Sequence, residues 1–89
     1  MKPADREQLR LSLLRHLEPT AGRRWGLSVG LLLQHVRAEG LADTTLTHVT
    51  AECGYLLEKG LVAEPAKQIS PEQRAFTITA AGRDWLAEH

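Results

Sequence analysis

Cysteine is nearly absent from this chain. Cys53 is the single example among 89 residues, so no internal disulfide can form, and a reduced, cytoplasmic setting is expected. Long apolar runs are missing too, which excludes a membrane-spanning helix. The opening "MKPADREQLR" is polar and charged and has no apolar segment of the secretory kind. Net charge is also lacking, since eleven Lys and Arg balance eleven Asp and Glu. A strongly basic, non-specific polyanion binder is therefore excluded, although positive charge can still gather on one side. No repeat, low-complexity tract or long linker divides residues 1–89, and the length suits one domain with one modest core. Enzyme motifs are absent as well: no Gly-x-Ser-x-Gly, no phosphate loop and no His-Glu-x-x-His. We expect no catalysis, no cofactor and no metal.

What is present is a clear sequence of elements. Pro3 and Asp5 open a helical stretch in which Leu9, Leu13 and Leu17, flanked by Leu14, form one apolar stripe that Pro19 ends. Leu11 falls off that stripe. "TAGRRWG" reads as a loop and "WGLS" as a short strand, with Ser28 placed to cap the helix "VGLLLQHVRAEG". A third helix follows in "LADTTLTHVTAECGYLLEKG", capped by Asp43 or Thr44 and closed by Gly60. Helical periodicity puts Leu46, Val49, Cys53, Leu56 and Leu57 on one face and Thr44, Thr47, His48, Ala51 and Tyr55 on the other. Gly54 inside that helix predicts the close approach of another backbone. "LVAE" and "AFTIT" read as two strands around the polar loop "PAKQISPEQR". Thr79 then caps a short last helix with Trp85 and Leu86 turned inward. The expected class is α+β, mostly helical.

This order, and above all "LLEKGLVAE" followed by a polar loop and "FTITAAGRDWL", resembles the winged helix-turn-helix domain. Its wording is similar to that of the multiple-antibiotic-resistance and phenolic-acid regulators: Leu57, Gly60, Leu61 and Val62, then Thr79 and Gly82. The likeness spans roughly residues 8 to 88, without the long flanking helices that build dimers in those families. It implies a three-helix core, a two-stranded wing and a short closing helix. It also implies that the third helix enters the major groove of double-stranded DNA, as in a small transcriptional regulator.

In that frame Thr44, Thr47, His48 and Ala51 face the bases, being small or able to donate, accept or touch a thymine methyl. Arg23, Arg24, Lys67 and Arg74 hold phosphates. Glu52, on the flank of the helix, works against DNA. Leu11 and Trp85 form a homodimer or partner surface, by analogy with the first and last helices of the family. A dimer would read half-sites about one helical turn apart. The rival expectation is a winged helix that docks a protein partner, also known among accessory proteins of phages and mobile elements, and zero net charge favours it. His48 with Glu52, and His35 with Glu39, share a four-residue spacing that invites a metal reading. Cys53 belongs to the opposite, apolar face, so these groups do not make one site.

Overall fold

The computed structural model describes residues 2–66 and 68–89. Among them, four α-helices and a small three-stranded antiparallel sheet give an α+β fold. Helix α1 (Pro3–Leu17) starts on proline, whose missing N–H costs nothing at a position with no intrahelical acceptor. Its stripe of Leu9, Leu13, Leu14 and Leu17 is fully buried. Pro19 does not release the chain into a loop. The backbone tightens into one 3-10 turn, Glu18–Thr20. There the buried Thr20 hydroxyl donates to the Leu17 carbonyl at 2.5 Å and accepts the Ile78 N–H at 2.9 Å.

Strand β1 (Leu27–Ser28) leads into α2 (Val29–Ala38), and the Ser28 hydroxyl accepts the Leu31 N–H as an N-cap. Helix α3 (Leu46–Glu58) departs from expectation at its start. Its cap is Thr45, not Asp43 or Thr44: the Thr45 hydroxyl accepts the His48 N–H, and His48 Nδ1 accepts the Thr45 N–H in return. Its end is as read. Gly60 takes a left-handed φ of 74°, which lets its N–H reach the Leu57 carbonyl and the Leu61 N–H reach that of Leu56. Gly54 has no close backbone beside it, because a Cβ added there would meet nothing within 4 Å.

After Gly60 come β2 (Val62–Ala63), a loop with a 3-10 turn at Pro71–Gln73, β3 (Ala75–Ile78) and α4 (Ala80–Glu88). β3 lies in the middle, paired with β1 through Leu27 and Phe76 and with β2 through Val62 and Ile78. Thr79 caps α4 and also donates to the Gly60 carbonyl at 2.7 Å, tying the last helix to the turn after α3. Thirteen apolar residues drawn from α1, α2, α3, β2 and β3 form one core around Phe76. Cys53 is part of it, and burial pushes its thiol up to about 12, so it packs as a small apolar group. Among the described residues no helix is long and apolar enough to cross a membrane.

Candidate nucleic-acid interface

The outward side of α3 is narrower than its periodicity predicts. Thr47 and Ala51 are exposed and His48 is half-buried. Thr44 is not on that face: it precedes the helix and is 3% exposed, so its side chain is closed to a base edge. The double threonine offers two residues for one cap. Thr45 takes that role and Thr44 turns inward. His48 keeps one useful atom. Because Nδ1 accepts from Thr45, the neutral ring carries its N–H at Nε2. Glu52 is also absent from the face, at 6% exposed, with its carboxylate 2.5 Å from Arg10 Nε of α1.

The candidate phosphate contacts are less available than their charge implies. Arg74 is forked onto Glu64 by two hydrogen bonds, 2.9 and 3.2 Å, across the base of the loop between β2 and β3. Those bonds raise its already high pKa, and its charge is largely neutralised in place. Arg23 and Arg24 are exposed. Arg23 donates from Nε to the Pro19 carbonyl at 3.1 Å and lies over the Trp25 ring, beside Thr20 and thus near the Ile78 end of β3. Arg74 leaves from the Ala75 end of the same strand, roughly 13 Å away at the usual rise per residue. Arg23 and Arg74 thus start from opposite ends of β3. Lys67 lies outside the described residues.

Leu11 and Trp85 are brought together. Both line a groove of about 720 Å³ between α1, the end of α3 and α4, with Leu56, Leu61, Tyr55 and Arg10. Arg10 stacks on the Tyr55 ring at 3.8 Å, so one guanidinium serves both the buried carboxylate and the groove wall.

A second polar cluster joins the ends of α1 and α2. Ser12 donates to Glu39 Oε2 at 2.5 Å, and His16 Nε2 lies 3.0 Å from Glu39 Oε1, near enough for an ion pair but unaligned for a hydrogen bond. The His16 ring stacks on His35 with centroids 4.9 Å apart. The Ser12 bond, chiefly, and the neighbouring His16 hold the Glu39 carboxyl below 4.5, while partial burial works the other way. A depressed carboxyl stabilises the fold above its unfolded value, and that contribution is lost as pH falls through the folded value. Ser12→Ala should therefore lower stability at neutral pH and make the acid decline below 4.5 shallower. Urea denaturation in both ranges checks this, and parallel curves for the two proteins would remove the Ser12 bond from the cause. Despite the clustered histidines, no group of three His, Cys, Asp or Glu among the described residues could hold a metal ion.

No protein-family model matches the chain, and neither curated proteins nor solved structures include a significant match.

Proposed function

We propose that the chain is a winged helix-turn-helix domain that binds double-stranded DNA through α3, in the manner of a small transcriptional regulator. The topology carries the reading. Two helices joined by a short connection are followed directly by a β2–β3 hairpin with a long connecting loop, and β1 closes the sheet in the order β1-β3-β2. The N-terminal half of α3 supports it further, with Thr47 and Ala51 small and exposed and His48 Nε2 free to donate. Since Arg74 is already paired and the net charge is zero, affinity should be modest and strongly dependent on salt.

The test is fluorescence anisotropy of a labelled mixed-sequence duplex titrated at several salt concentrations. We expect a log–log slope corresponding to about three phosphate contacts, and loss of most binding in Thr47→Ala/His48→Ala. Absence of binding at low salt, where basic groups act over the longest range, overturns the reading. One observation favours the rival, a module that docks a protein partner: the groove holding Leu11, Trp85 and Tyr55 is largely apolar and lies against α4 rather than on the exposed N-terminal half of α3. On that reading Leu11→Asp abolishes partner binding and leaves the anisotropy curve unchanged.

A further inference from the structure

Arg37, in the last turn of α2, is exposed and forms no ion pair among the described residues. Its Nε donates to the Thr44 carbonyl at 2.8 Å, two residues ahead of the first residue of α3. The Thr44 side chain is buried while its carbonyl holds the arginine. A guanidinium engaged through Nε alone keeps the N–H groups of its two terminal nitrogens, a planar fork matched to a pair of phosphate oxygens. Anchoring the fork to the backbone also removes much of the rotamer freedom that a long side chain otherwise loses on binding.

Three other described cations differ in ways that matter. Arg10 is spent on Glu52 and Arg74 on Glu64. Arg23 is pinned in the same manner, but beside Trp25 and away from the start of α3. Arg37 is held by a backbone carbonyl of the α2–α3 connection, just ahead of the helix that carries Thr47, His48 and Ala51. Asp43 is an opposing charge nearby, exposed in the same connection and next to Thr44 in sequence, and Asp5 of α1 lines the same groove as Asp43, Thr44 and His48. No carboxylate lies within ion-pair distance of Arg37 among the described residues.

Resting on the DNA-binding reading, we propose that Arg37 is the phosphate clamp of the α2–α3 unit, gripping the DNA backbone beside the groove that α3 enters, and that Asp43 weakens its grip. A basic residue in the last turn also complements the helix dipole, a purely structural role. Salt dependence separates the two roles.

Anisotropy titrations on one mixed-sequence duplex compare the wild type with Arg37→Gln, Arg37→Lys and Asp43→Asn. Arg37→Gln should bind about tenfold more weakly at low salt, on any sequence, with the slope reduced by roughly 0.9. Arg37→Lys should keep the slope and lose part of the affinity, since the charge stays and the fork goes. Asp43→Asn should bind more tightly. An Arg37→Gln protein that is folded by circular dichroism and keeps the wild-type slope overturns the clamp and leaves DNA binding standing. A wild type that does not bind overturns both. Should Arg37→Gln fail to fold, Arg37→Lys decides: weaker binding with an unchanged slope supports the clamp, and unchanged affinity rejects it.

Discussion

Gly26→Ala is expected to cost about 3 kcal/mol of stability, the upper part of the range for forcing atoms into a packed site. A Cβ at residue 26 would collide with the Phe76 carbonyl oxygen and lie 2.5 Å from its carbonyl carbon and 2.8 Å from its nitrogen. All three are backbone atoms, so no rotamer change relieves them. The chain there is held twice, by β1 against β3 and by the Val29 N–H on the Arg74 carbonyl at 2.8 Å. Moving β1 away would open the core beside Phe76, which is fully buried. For a domain of this size the cost corresponds to a melting temperature lower by roughly 12–24 °C. Gly54→Ala is the control. It has open space around the added methyl and sits mid-helix, so it should gain up to about 1 kcal/mol. Thermal melts of the two variants should move in opposite directions. Equal downward shifts would mean that close approach to Phe76 is not what demands glycine at 26.

That contrast shows which structural features the sequence makes legible. Ser28, Gly60 and Thr79 could be assigned in advance because cap and turn chemistry is settled within a few residues. The start of α3 was harder, since "DTTLT" offers several capping side chains. The choice of Thr45 follows from the reciprocal bond to His48, which composition does not reveal. Glu52 illustrates the stronger limit. Its position on α3 suggests a solvated flank, yet its burial is decided by Arg10, 42 residues away on another helix. Arg74 follows the same logic, because its partner Glu64 stands at the other end of a loop whose closure is a tertiary event. Gly26 and Gly54 reverse the roles their local sequence gives them: the loop glycine is sterically required and the helical one is not. The candidate interface was thus legible as a helix face. The pairing of Glu52 and of Arg74 was not, because each depends on a partner outside its own element.

Arg10→Met should be comparably damaging, costing about 3 kcal/mol, because it leaves a carboxylate buried without its cation. Glu52 has 8% of its side chain exposed, against 21% for Arg10, so the two single substitutions are not equivalent. In Glu52→Leu the freed guanidinium stays over Tyr55 and reaches water, and the loss should be no more than about 1 kcal/mol. The double variant Arg10→Met/Glu52→Leu should recover most of the stability, since apolar replacement of a buried ion pair is often neutral or better. Urea denaturation of all four proteins gives the coupling energy directly. A coupling near zero would show that the pair is a surface ornament despite its burial. The double variant also bears on function. Arg10 and Glu52 neutralise each other on the α1 side of α3, so a DNA-binding domain should keep its affinity and salt slope when both are replaced together. A domain that docks a partner through the groove should not be indifferent, because Arg10 is part of the groove wall and stacks on Tyr55. Unchanged DNA binding in a folded double variant would place the working surface on the N-terminal half of α3. Undetectable DNA binding in the wild type, with partner binding lost in the double variant, would place it in the groove.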